Sequence, residues 1–166
     1  MDRSKLADLS EIVSSVAIVV TLIYLTVEVR QNTDATRAQT AQAILQSAQS
    51  ELRDLIEHPD IALSIQKKGP LTVEENVKLD AYLANAMRGR EFAWIQFQNK
   101  TIDESNWNGE LAVTRVLLDS SRIRDWWNKL GCHYMSDDFV QFVDQLIEAE
   151  PATDELWTRA TNWSSE

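Results

Sequence analysis

His58, His133 and Cys132 are the side chains best suited to proton transfer, nucleophilic attack or soft-metal binding near neutral pH. Cys132-His133 sets a thiol beside an imidazole. Neighbours in sequence project in different directions, however, and a catalytic dyad needs the two groups to converge. His58 is remote in sequence, and neither histidine sits in an H-x3-H or H-E-x-x-H pattern. With 4 Gly in the chain, a glycine-rich phosphate loop is not expected. The carboxylate pairs Glu74-Glu75 and Asp137-Asp138 fall where helices start, and the helix dipole accounts for them. No catalytic residue, metal ligand or cofactor is expected, and no enzymatic activity.

Arg90 is the one charge that stands out. It falls on or beside an apolar stripe made by Leu79, Leu83, Met87, Trp94 and Phe97. An unpaired buried guanidinium is costly. Glu91 points about 100° away on a helix. A carboxylate from another helix, such as Glu110 or Asp119, is the expected partner, and Arg90 is read as a structural ion pair ahead of an anion-binding group. The tryptophans are Trp94, Trp107, Trp126, Trp127, Trp157 and Trp163. Their first use is bulk for a small helical core, and their second is a ligand cage. Adjacent Trp126 and Trp127 are not expected to share one core fully, so one of them should line a groove or an interface.

The elements that must position these residues begin with an uncharged run, Ile12 to Val27, bracketed by Glu11 and Glu28. Its sixteen residues make roughly 24 Å of helix at about 1.5 Å per residue. A bilayer core is about 30 Å thick. The run therefore spans it only when extended to residues 9–29, with Glu11 and Glu28 at headgroup level and Tyr24 near one interface. A membrane anchor is the leading reading. A buried or self-associating helix of a soluble protein is the alternative. A cleaved signal peptide fits poorly, because Asp2 and Asp8 offset Arg3 and Lys5 and no Ala-x-Ala site follows. Ser10/Ser14 and Ala17/Thr21 are small residues four apart, a spacing that lets membrane helices approach. Arg3 and Lys5 before the run balance Arg30 and Arg37 after it, so charge does not set orientation. The single cysteine excludes an internal disulfide and favours a cytoplasmic domain.

The net charge is −10. From Asp137 onward there are eight carboxylates and one arginine, so the C-terminal segment carries most of the excess. Nucleic acid is excluded as a partner, since its recognition requires a basic patch. The acidic end reads first as a solvated helix face and second as a docking site for a basic protein.

After Val29, either Asn32 or Thr33 caps a new helix or the anchor helix continues. Ala38, Ala41, Leu45, Ala48, Leu52 and Leu55 then follow a heptad rhythm. An intramolecular helix is the favoured partner for that seam, and a parallel dimer is the minority reading. Pro59 opens a short helix that Gly69-Pro70 ends. Thr72-x-x-Glu75 is a capping box at the head of a helix to about Asn99. Asp103 caps a helix over 104–118, and another follows over 121–130 with Gly131 as its stop. Ser136 caps a helix over 137–149 with Phe139, Phe142, Val143, Leu146 and Ile147 inward. A last helix over 154–162 turns Trp157 inward. No alternating strand pair appears. The expectation is an all-α protein: an anchor and juxtamembrane segment over 1–33, then a bundle of about five to seven helices over 34–166.

Four segments, VEVRQNT (27–33), REFAWIQFQ (90–98), RDWWNKL (124–130) and SDDFVQFVD (136–144), together with the apolar N-terminal helix, carry a resemblance. The chain resembles a loosely defined group of uncharacterised small bacterial membrane proteins. That resemblance implies a single-pass anchor in the bacterial inner membrane and a helical domain. It brings no activity and no functional residues. The expected function is a membrane-anchored helical interaction or regulatory module, meeting the lipid bilayer through residues 9–29 and either a protein partner or further copies of itself. A soluble protein oligomerising through its N-terminal helix is one alternative. A ligand sensor or enzyme with a Trp- and Arg90-lined pocket is the other.

Overall fold

The computed structural model describes residues 3–162. Among these the chain is all-helical, with seven α-helices and no strand. They are α1 (Arg3–Glu57), α2 (Pro59–Gln66), α3 (Val73–Gln98), α4 (Glu104–Leu118), α5 (Ser121–Lys129), α6 (Asp137–Ala149) and α7 (Glu155–Asn162), with a 3-10 turn at Gly131–Tyr134. The chain divides into two units, with the boundary between Gln39 and Thr40. That boundary lies past the one expected at residue 33.

No helix starts at Asn32 or Thr33, because α1 runs through them. The first proline is Pro59 and the first glycine is Gly69, so nothing in this stretch breaks a helix. The Thr33 hydroxyl does not cap. It donates back to the Val29 carbonyl at 2.9 Å, as Thr21 does to Ala17 and Thr26 to Leu22. Such bonds satisfy the hydroxyl inside a continuing helix. Pro59 disfavours a helical conformation at the preceding residue, and α1 ends at Glu57.

In the first unit, the residues from Val13 to Val29 are all exposed. The stretch beginning at Val13 lies in the one helix, among the described residues, that is long and apolar enough to cross a membrane.

The second unit holds the core. Leu83, Ala86, Met87, Ile123, Trp127, Phe139 and Val143 are fully enclosed, and Leu79, Leu117, Leu118 and Trp157 close the cluster. α3 supplies the central face and packs against α2 and α4, while α7 packs on α2. A second cluster joins Ile44 of α1 to Ala93, Ile102 and Trp107, with Phe97 stacked on Trp107 at 5.2 Å. Local chemistry sets most helix ends. The Thr72 hydroxyl accepts from the Glu75 N–H, and the Glu75 carboxylate accepts from the Thr72 N–H at 2.7 Å. Asp103 accepts from the Asn106 N–H at 2.8 Å. Gly69 takes φ +95, which L residues rarely adopt, in the turn between α2 and α3.

Two expectations need correction. Ser136 occupies the N-cap position of α6, but its side chain makes no cap bond. Its backbone N–H instead donates to Glu91 Oε1 at 2.6 Å, so α6 is tied to α3. The heptad seam of α1 is covered only in part, with Ala41, Ala48 and Leu55 half-buried and Leu55 packed on the core. The bundle covers Ile44 and Glu51, whereas Leu45 and Leu52 stay exposed.

Candidate functional site

Arg90 lies inside the bundle at 4% exposure. The middle of α3 carries it there, because Leu83, Ala86 and Met87 put the same helix face into the core. Its Nη1 donates to Glu51 Oε1 of α1, and its Nε lies 3.7 Å from Glu110 Oε2 of α4. Nε makes no hydrogen bond. Two carboxylates thus share one guanidinium, leaving one excess negative charge when all three are ionised. Burial pushes the Glu51 carboxyl above its ordinary value and outweighs the pull of Arg90, with Glu110 adding to the rise. Burial also drives the neighbouring Tyr82 hydroxyl up to about 12. α1 comes this close because α3 offers Gly89, where a Cβ would meet Ser47 Oγ at 2.9 Å and Glu51 Oε1 at 3.1 Å. The arrangement clamps three helices and leaves the guanidinium little room for an incoming anion.

Of the partners expected for Arg90, Glu110 is present and Asp119 is not. Asp119 ends α4 and organises the turn beyond α6. It accepts from the Thr153 N–H and hydroxyl at 3.0 and 2.7 Å, and from the Leu156 N–H at 3.0 Å. Burial works against its charge, but these donors outweigh it and hold the carboxyl below its ordinary value. Glu91 does point elsewhere, towards Ser136 and Arg88. Sequence reasoning missed Glu51 because it stands off the leucine seam of α1, where a carboxylate looks like a solvent-facing residue.

Trp126 and Trp127 are both buried, at 8% and 1% exposure. Both belong to the core cluster, because both sides of α5 are covered, and Trp126 in addition lines a cavity, as expected of one of the pair. Each indole N–H finds a carboxylate: Trp126 donates to Asp80 at 2.7 Å and Trp127 to Asp144 at 2.9 Å. Trp127 lines no groove. Trp126 forms one wall of a cavity of about 730 Å³, with Leu79, Trp157, Lys68, Arg122 and Lys129 among the others. Arg122 donates to the Lys67 and Gly69 carbonyls, which closes the α2–α3 turn, while its Nε is buried without a partner. Arg90 does not reach this cavity. Trp94 and Trp107 are core residues, and Trp163 lies outside the described residues.

His133 is exposed, and Cys132 packs against the core with its thiol near the Asn128 carbonyl. Among the described residues, no group of three or more His, Cys, Asp or Glu side chains is placed to hold a metal ion. Some of the C-terminal carboxylates are engaged within the fold. Asp144 holds Trp127, Asp154 accepts from the Ser121 N–H and hydroxyl, and Glu150 pairs with Arg115 at 3.0 Å.

No family model matches this chain, and neither a curated protein nor a solved structure does.

Proposed function

We propose that the chain is a membrane-tethered helical module that engages a protein partner and has no enzymatic activity of its own. One observation carries the tether: every residue from Val13 to Val29 is exposed, and twelve of the seventeen are apolar. In water such a surface demands a cover, and lipid supplies one. Thr21 and Thr26 fit that setting, since their hydroxyls are satisfied within the helix. The single thiol favours a domain on the cytoplasmic side of a bacterial inner membrane. The intact chain is expected to pellet with membranes and to resist extraction by salt or carbonate. Removing residues 1–29 is expected to release a soluble helical domain, because the second unit has its own core. Recovery of the intact chain in a detergent-free soluble fraction overturns the tether.

The cavity beside Trp126 favours a second reading, a sensor of small amphiphilic anions. Leu79 and Trp157 line it together with Lys68 and Arg122, beside the carboxylates Asp80, Asp125 and Asp154, and its volume suits a metabolite. A thermal-shift screen of aromatic carboxylates tests it. A stabilising compound whose effect disappears in Lys68→Glu supports the sensor, and a screen without one removes it.

A further inference from the structure

The open side of α1 carries a pattern that the bundle does not use. Leu45, Leu52 and Ile56 are 63%, 61% and 79% exposed, with exposed Gln42 before them and exposed Gln49 between the leucines. Leu52 sits about 100° around the helix from Glu51, the residue the bundle grips. From Ala38 to Ser50 the chain holds no charged residue. Around Leu45 two such faces can therefore meet without burying a charge, exposed Arg53 stands next to Leu52, and glutamine both donates and accepts, so it can pair with itself across a two-fold axis. We infer that this face of α1 receives the same face of a second copy, in parallel, with Leu45 against Leu45 and Leu52 against Leu52 of the other chain.

The inference rests on the membrane tether. A single-pass anchor inserts every copy in one sense, so neighbouring α1 helices run parallel. The spacing of Leu45 and Leu52 then brings like residues together, as at the first core position of a heptad. Specific complexes in solution bury about 1,200–2,000 Å² in total, and three aliphatic side chains and two glutamines per copy fall short of that. Confinement in the bilayer raises the effective concentration and offsets the shortfall. The association accordingly belongs to the membrane-held chain, not to residues 40–166 in dilute solution.

Site-directed disulfide formation in membranes tests this on the full chain. In a Cys132→Ser background, Leu45→Cys and Leu52→Cys are compared with Ala43→Cys, which is exposed on a different side of α1. All three positions are exposed, so the fold is kept. Under mild oxidation the first two are expected to give a product of twice the monomer mass, and Ala43→Cys far less. Equal cross-linking at all three positions, none at Leu45 and Leu52, or a product of another mass overturns the second-copy interface. The membrane pellet of the same samples separates the two readings. Chain in the pellet without cross-linking overturns the interface and leaves the tether standing. Chain in the soluble fraction overturns the tether and this proposal with it.

Discussion

Arg90 of α3 and Glu51 of α1 face each other at 4% and 5% exposure, thirty-nine residues apart in sequence and joined by a hydrogen bond from guanidinium to carboxylate. Half-buried Glu110 lies 3.7 Å from the guanidinium Nε, so one cation serves a buried carboxylate and a half-buried one. Ile44, in the second hydrophobic cluster, is the apolar counterpart of this link on α1. The contact between α1 and the bundle is thus partly electrostatic, and it is made in a place where an unmatched charge is expensive.

Removing Arg90 strands both carboxylates. Arg90→Ala is expected to lower unfolding stability by about 3–5 kcal/mol, the usual range for breaking a buried pair. Arg90→Lys should recover part of that, since charge returns but the planar fork does not. Glu51→Gln should cost less than Arg90→Ala, because Arg90 keeps Glu110 and the excess negative charge is gone. Urea denaturation of the three variants measures this. A parent-like midpoint for Arg90→Ala, or a larger loss for Glu51→Gln, would show that the cluster does not hold α1 in place.

Glu75 supports the acid stability of the α3 N-terminus. The Lys67 ammonium and the Thr72 N–H hold its carboxyl at about 2, down from an ordinary 4.5. A depressed carboxylate contributes stability above its unfolded value and loses it as pH falls through its folded value. The window here runs from 4.5 down to about 2. Glu75→Gln should therefore melt below the parent at neutral pH, and the difference should close across that window. Glu51 has the opposite sign, because burial raises its value and ionisation there opposes folding. Melting temperatures of parent and Glu75→Gln that stay a constant distance apart from neutral pH down to acid would contradict the assignment.

Gly131 and Gly109 should respond to alanine in opposite ways. A Cβ at Gly131 would lie 2.5 Å from Trp126 Cζ3 and 2.7 Å from Cη2, against a buried and rigid indole. Gly131→Ala is expected to cost about 1–3 kcal/mol, as overpacked cores do. At Gly109, inside α4, a Cβ would meet nothing within 4 Å. Gly109→Ala should stabilise by about 0.5–1 kcal/mol through helix propensity. Thermal unfolding of the pair is the measurement, and equal shifts of the same sign would contradict the packing at Trp126.

The helix boundaries were legible because caps and stops are local. Thr72 and Glu75 lie three residues apart, Asp103 and Asn106 likewise, and Pro59 acts on its immediate neighbour. The inward faces of α3, α6 and α7 were legible too, since the periodicity of Leu79, Leu83, Met87, Phe139, Val143 and Trp157 admits one buried side. The apolar character of Val13 to Val29 is a property of composition alone.

What only the tertiary structure decided is which helix meets which face. On α1 Leu45 and Leu52 lie about 100° from Ile44 and Glu51, and the hydrophobic rule favours the leucines. The bundle takes the other edge, because Arg90 on α3 needs a carboxylate and Gly89 leaves space for the helix that brings one. Trp126 and Trp127 share the core for a similar reason: two carboxylates on separate helices, Asp80 and Asp144, meet their indole N–H groups on either side of α5. A ranking of residues by hydrophobicity contains none of this. An ion pair or an indole hydrogen bond is a relation between distant segments, and it is set only when the chain has brought them together.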